Sequence, residues 1–285
     1  MTEMQPEIGP MTREEADELA GWAAAEGWNP GKADIGIAWN TDPEAFIALR
    51  RGEDLIGGGT IFSHGGNFGF MGLFIMRPEW RGAGLGARLW HERLRRLQAR
   101  LKPGAVIGMD GVFEMAPFYA KGGFTLAHRD LRFEGVAEGM PDPAVRPLAA
   151  EHFAAVQDFD RLHFPASRPA FLRQWLFQEG GHALGLFEND TLQAYGMLRP
   201  ARVGFKIGPL FSRNEDFAAR LLGTLLAHAG GQPVQLDVPE PNEAGLRLAT
   251  RFGLTETFGC ARMYHGPAPD LPLRQIFGVT SFEFG

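Results

Sequence analysis

The run Arg77-Pro78-Glu79-Trp80-Arg81-Gly82-Ala83-Gly84-Leu85-Gly86-Ala87 carries three glycines at alternate positions. Glycine enters backbone conformations closed to other residues, so such a run lets several N–H groups turn into one concavity. The apolar stretch 68–76 precedes it, and a segment with Trp90, Leu94, Leu97 and Leu101 on one helical face follows. A strand-to-helix turn of this kind aims unpaired amides and the positive end of a helix at one point, where a pyrophosphate is the natural occupant. No Gly-Lys-Ser/Thr follows, so this is not a Walker loop. The Pro-Glu-Trp before the glycines and the missing βαβ repeat set it apart from a dinucleotide fingerprint.

Other residues have types suited to proton transfer. Asp110 ends a strand pattern, Glu114 lies a few residues on, and His64 sits on the preceding hairpin. Each can take a proton from a nucleophile, each equally suits a solvated surface or a turn, and water can do the same work. The single cysteine, Cys260, excludes an intramolecular disulfide, and with nothing beside it to mark a nucleophile it is expected to pack inside its strand. Arg88, Arg93, Arg95, Arg96 and Arg100 spread over the helical face opposite Leu94 and Leu97, which reads as a solvated face. Gly57-Gly58-Gly59 reads as a strand interruption, a bulge that makes room nearby.

These groups need elements to hold them. Thr12-Arg13-Glu14-Glu15 has the form of a capping box and opens a helix through Leu19, Trp22 and Ala25 that stops near Gly27-Trp28-Asn29-Pro30-Gly31. Residues 45–49, 55–62 and 68–76 read as successive strands, the last nearly all apolar and therefore central. After the glycine turn and its helix come a strand at 105–109, a short helix at 117–121 and a strand at 126–133. Periodicity stops at 135–143, where Pro and Gly cluster.

The same grammar then repeats. Helical patterns cover 153–162, 169–177, 217–228 and 243–251, and strands cover 183–187, 192–198, 202–211, 234–238 and 257–264. Phe118-Tyr119-Ala120-Lys121-Gly122-Gly123-Phe124-Thr125 lines up with Leu248-Ala249-Thr250-Arg251-Phe252-Gly253-Leu254-Thr255, and each follows a strand ending in an aspartate, Asp110 or Asp237. This reads as a duplication into two α+β halves, residues 1–137 and 144–285.

Arg81-x-x-Gly84-x-Gly86, with its flanking strand and helix and the downstream Phe118-Tyr119-x-x-x-Gly123-Phe124, resembles the Q/R-x-x-G-x-G/A signature of the GCN5-related N-acetyltransferases, the GNAT family. The resemblance covers residues 8–134. Beyond them the chain is similar to bacterial tandem acetyltransferases with a degenerate second copy, a subgroup that the terminal Ile276-Phe277-Gly278-Val279-Thr280-Ser281-Phe282-Glu283 also fits. The resemblance implies two tandem domains, each a mixed, mostly antiparallel twisted sheet flanked by helices. It implies that the backbone of Phe74, Ile75 and Met76 pairs with the pantetheine arm of acetyl-CoA, and that amides of Arg81, Gly82, Ala83, Gly84, Leu85, Gly86 and Ala87 hold the pyrophosphate. The strands carrying Phe74 and Val106 would splay to admit the thioester, and a main-chain N–H near Phe74 would polarise its carbonyl. Tyr119 stands where the family keeps its general acid, and a phenol suits a departing thiolate. Trp28 and Asn29 stand where relatives place an acceptor loop, or they simply end a helix. One or two of the helix arginines near the turn would meet the 3′-phosphate of CoA.

The second half lacks the cradle: Ser212-Arg213-Asn214-Glu215-Asp216 has no glycine turn and two carboxylates that repel a pyrophosphate, and Ala249 answers Tyr119. It is expected to neither bind CoA nor catalyse, but to wall the acceptor pocket, with Asp160 and His163 as acceptor contacts. A chain of 285 residues with 45% hydrophobic and 22% charged residues has material for a large core. The net charge of −6 argues against nucleic acid and anionic membranes, and no secretory h-region or membrane-length apolar run is found, so a soluble cytoplasmic protein is expected. The expected activity is acetyl-CoA-dependent N-acetyl transfer to a primary amine of a small molecule by direct attack in a ternary complex. No metal is expected, and the chain would be a monomer or a homodimer. The alternatives are a longer acyl-CoA donor, or a non-catalytic acyl-CoA sensor or partner-binding module.

Overall fold

The computed structural model describes residues 5–285, and residues 1–4 lie outside them. In the first half the chain runs β1 (Glu7–Pro10), α1 (Arg13–Ala25), α2 (Asp34–Thr41), β2 (Phe46–Arg51), β3 (Asp54–His64), β4 (Phe68–Met76), α3 (Leu85–Arg100), β5 (Val106–Val112), α4 (Ala116–Lys121) and β6 (Phe124–Gly135). The second half runs β7 (Val145–Pro147), α5 (Phe153–His163), α6 (Pro169–Leu176), β8 (His182–Glu188), β9 (Thr191–Pro200), β10 (Phe205–Ser212), α7 (Glu215–Ala229), β11 (Val234–Pro239), α8 (Glu243–Arg251), β12 (Thr255–His265) and β13 (Ile276–Gly278). The Thr12 hydroxyl accepts from the Glu15 amide while the Thr12 amide donates to the Glu15 carboxylate, so the capping box forms as its sequence dictates.

The 13 strands of the described residues join one sheet in the order β1-β2-β3-β4-β5-β12-β6-β11-β10-β9-β8-β7, with β13 beside β10. Among the described residues, only β4·β5 and β10·β11 are parallel. The mixed, mostly antiparallel α+β class is as expected. The surprise lies at the centre. Strand β6 does not return to β5: it pairs with β11, while β12 of the second half takes the place beside β5. Each half thus lends its last long strand to the other.

Two equivalent ion pairs pin the exchange. Arg262 of β12 donates from Nε and Nη2 to both oxygens of Asp110 on β5, each at 2.6 Å. Arg132 of β6 does the same to Asp237 on β11, at 2.7 and 2.8 Å. The two aspartates of the sequence echo therefore hold strands from opposite halves.

Three apolar layers cover the sheet. One is shared: Leu19 and Ala23 of α1, Ile35 of α2, Val156 and Phe159 of α5, Phe171 and Trp175 of α6, and Phe284 form one cluster. A second lies under α3 and α4, and a third under α7 and α8. In α3, Leu89, Trp90, Leu94 and Leu97 are buried, each contributing about 1.5–3 kcal/mol.

The solvated reading of the arginine face needs correction. Arg93 is buried, donating from Nη2 to the carbonyls of Thr60 and Gly72 at 2.6 and 2.7 Å. It fits because Gly59 has no side chain, since a Cβ there would lie 2.5 Å from the Arg93 guanidinium carbon. Arg100 is also spent, on Asp42 and the Ile61 carbonyl. The glycine run does mark a bulge. Gly58 pairs with Ile75 and Thr60 with Gly72, so Leu73 and Phe74 of β4 together oppose Gly59, with Leu73 at φ 49°.

Candidate active site

Strands β4 and β5 pair from Phe68↔Val106 to Met71↔Met109 and no further. Beyond that point β4 keeps β3 on one side and loses its neighbour on the other, while β5 stays paired with β12 as far as Val112. The opening is a cavity of about 580 Å³. From β4 it is lined by Gly72 to Met76, which includes Phe74, Ile75 and Met76, and from β5 by Asp110, Gly111 and Val112.

At one end of the cavity is the glycine turn. Arg81, Gly82, Gly84, Gly86 and Ala87 line it, whereas Ala83 and Leu85 contribute no lining side chain. Gly82 and Gly84 have φ of 82° and 77°, conformations that side chains disfavour. Gly84 is the residue before α3, no side chain caps the helix and its first turn holds no acidic residue. The first amides of a 16-residue helix and its positive end are thus left open toward the cavity. Arg81 locks the turn in place: its Nε donates to the Met76 carbonyl at 2.9 Å and its Nη2 to Glu26. The turn therefore offers donors of the kind a diphosphate needs, and the free edge of β4 offers backbone groups to an extended amide chain.

Tyr119 lies deeper, 4% exposed, lining the cavity and stacked on Trp90. Burial pushes its pKa up to about 12, against the pull of Arg93, so the phenol keeps its proton at neutral pH. Gly111 makes room for the ring, since a Cβ there would lie 2.4 Å from it.

The other residues singled out from sequence scatter. Asp110 lines the cavity, yet both its oxygens accept from Arg262. Burial, then neighbouring Asp130, raises its pKa well above the ordinary range despite Arg262. It stands as half of a strand clamp rather than a free base. His64 is not at the cavity: it is buried among Phe62, Phe68, Phe164 and Phe171, and burial, then Arg168, drives its pKa down to about 3. Glu114 is exposed and outside the lining. Asp160 is buried elsewhere, accepting from Arg168 at 2.7 and 3.0 Å and from the Tyr195 hydroxyl at 2.5 Å. His163 instead donates from Nδ1 to the Phe159 carbonyl at 2.8 Å, and its Nε2 meets the Gln275 side chain at 3.1 Å. Trp28 lines the cavity, but Asn29 clamps the halves together through Val203 and Gln235.

Sequence reasoning missed four contributors from the second half: Phe258 and Cys260 of β12, and Phe282 and Glu283 of the final segment. Cys260 is buried, and burial raises its pKa well above the usual thiol value, so it is a neutral wall. Arg93 was missed as a lining residue too. The equivalent turn of the second half is closed, as Asn214 caps α7 by accepting from the Phe217 amide and Glu215 and Asp216 occupy its first turn.

Comparison with known proteins fits this geometry. Residues 9–124 match the model of the acetyltransferase (GNAT) family, and residues 156–278 match an acetyltransferase (GNAT) domain. The chain is 27% identical to the holothin acyltransferase of Pseudoalteromonas sp. (strain SANK 73390) over 97% of this chain and 93% of that one. Among solved structures, a candidate acetyltransferase from Pyrococcus horikoshii superposes with a TM-score of 0.83 at 19% identity, covering 98% of this chain and 96% of that one. A tandem GNAT protein from the clavulanic acid biosynthesis pathway gives 0.64 at 14% identity, covering 93% and 100%. With a GNAT unit matched in each half and a turn and split sheet of this form in the first, the chain belongs to the GNAT family of acyltransferases, as a tandem member.

Proposed function

We propose that this chain transfers an acetyl group from acetyl-CoA to a primary amine of a small molecule, by direct attack while donor and acceptor are bound together. The observation that carries the reading is the continuity of one cavity from the open helix start at Gly82–Ala87, along the unpaired edge of β4, to the protonated Tyr119. The turn amides would hold the diphosphate, the edge at Phe74 to Met76 the pantetheine amides, and the bulge at Leu73–Phe74 a backbone donor for the thioester carbonyl. The amine nitrogen attacks that carbonyl, the C–N bond forms and the C–S bond breaks. Tyr119 then gives its proton to the departing thiolate. The relative named as an acyltransferase supports acyl transfer and leaves the chain length of the donor to experiment. The second half binds no CoA of its own in this reading, because its turn is capped and acidic.

The test is thiol release from acetyl-, butyryl- and hexanoyl-CoA across a panel of primary amines, with Tyr119→Phe beside the parent. Amine-dependent release, fastest with acetyl-CoA and about 100-fold slower in the variant at similar KM, supports the reading. Tight CoA binding with no amine-dependent turnover in either form marks a sensor, and a preference for the longer donors replaces the acetyl assignment.

A further inference from the structure

Across β4 from the glycine-turn helix, the cavity wall is made by the last segment of the second half. Glu283 lines the cavity and is 4% exposed. One carboxylate oxygen lies 3.8 Å from Lys206 Nζ, and the other, Oε2, is buried without a hydrogen-bond partner. The segment is seated tightly: a Cβ on Gly72 would lie 2.0 Å from the Glu283 carbonyl oxygen. Trp28, Phe258 and Phe282 line the cavity with it. A buried carboxylate oxygen left without a donor is costly, so its natural complement is an N–H that arrives with a ligand.

The placement also has polarity. Gly72 sits opposite Thr60 in the ladder and shares its face, whereas Gly59, next to Thr60, faces the other way. Glu283 packs on Gly72 and Arg93 on Gly59, so the two lie on opposite faces of the sheet at the bulge. Arg93 keeps Nε and Nη1 unpartnered on the side of α3 and Tyr119. A cation thus stands on the face that carries Tyr119, and an anion on the opposite face.

We propose that Glu283 receives the acceptor's amino group and takes its proton, so that the second half supplies a catalytic residue to the site of the first. This rests on the amine-transfer reading above. An ammonium gives one proton to the Glu283 carboxylate, and its freed lone pair forms the C–N bond as the C–S bond breaks. Tyr119 protonates the sulfur and recovers a proton from the nitrogen as the amide forms. Glu283 then returns its proton to water, so one proton is released per amide made. Lys206 holds the other oxygen and orients the carboxylate.

The experiment compares the full chain with Glu283→Gln and Glu283→Asp, measuring thiol release from acetyl-CoA with primary aliphatic amines from pH 6.5 to 9.5 and CoA binding by calorimetry. Glu283→Gln should bind CoA within about twofold of the parent and release thiol on the order of 100-fold more slowly at pH 7, the gap closing as pH rises and the free amine fraction grows. Glu283→Asp keeps the charge beside Lys206 but withdraws it by one methylene, and should lose about tenfold. Parent-like release by Glu283→Gln at all pH values, or loss of rate and CoA binding together, overturns the assignment. If Glu283→Gln does not fold, Glu283→Asp decides: a parent-like rate overturns the proposal. A parent that binds CoA but acetylates no amine overturns the transfer reading and this assignment with it, whereas failure of Glu283 alone leaves the parent's turnover intact.

Discussion

Replacing Asp237 by alanine should cost the whole molecule, not one half of it. Asp237 and Arg132 are 5% and 2% exposed at the side chain and share two hydrogen bonds. They adjoin two further buried pairs, Arg199 with Asp34 and Lys206 with Glu283, so three cations face three carboxylates. Asp237→Ala leaves that group with one uncompensated positive charge, and breaking a buried pair from one side costs about 3–5 kcal/mol. With a urea slope of ~3 kcal/mol/M, the unfolding midpoint should fall by about 1–1.7 M. Arg132→Met with Asp237→Leu removes both charges and should recover most of the loss. Because β6 and β12 tie the halves, tryptophan fluorescence and far-UV circular dichroism should trace one transition. Burial pushes the Asp237 pKa up, but Arg132, then Lys206 and Arg199, hold it below the ordinary carboxylate value. Its contribution is therefore present in full above the unfolded value of ~3.9 and fades as pH falls through the folded one. A single-variant cost below about 1 kcal/mol, a double variant as weak as the single, or two separate transitions would mean that the Arg132–Asp237 pair does not tie the halves.

Three other perturbations probe distinct parts of the molecule. Gly84→Ala meets no atom within 4 Å but must hold φ 77°, so about 1–2 kcal/mol of backbone strain is expected, together with at least a ~10-fold weaker heat-detected affinity for CoA; unchanged affinity would exclude the turn as the diphosphate site. His64 has a folded pKa of about 3 against 6.5 when free, so protonation favours the unfolded chain, and stability falls as pH drops below 6.5. From pH 7.5 to 5 this amounts to roughly 2 kcal/mol, and His64→Leu should remove that share of the slope in urea titrations at the two pH values. Gly72→Ala forces a Cβ to 2.0 Å from the Glu283 carbonyl, so residues 281–284 should exchange amide hydrogens faster and acceptor turnover should fall more than CoA affinity; unaltered exchange there would show that the segment is seated otherwise.

Most of the secondary structure could be read from periodicity, and α8 and β4 coincide with their sequence patterns to the residue. Helix α2 could not, because Asp-Ile-Gly-Ile-Ala-Trp-Asn-Thr combines a glycine with β-branched residues and no side chain caps it. Nor was the strand exchange legible: a half-buried alternation in 126–133 or 257–264 is the same whichever neighbour the strand joins. The paired aspartates were visible, but their partners Arg262 and Arg132 lie across the halves. The glycine turn was legible because its chemistry is local and backbone-borne. Glu283 was not, since it comes to Gly72 across more than two hundred residues, and Arg93 was read as solvated because its cavity exists only through the missing side chain of Gly59.

The crossed strands have a consequence for the history of the molecule. Once each copy had surrendered its closing strand, neither could be deleted, swapped or expressed alone without baring a raw ladder edge in the middle of the sheet. The half whose turn is capped and acidic is thereby retained as obligatory architecture, free to vary at its surface while bound to its sibling by main-chain hydrogen bonds.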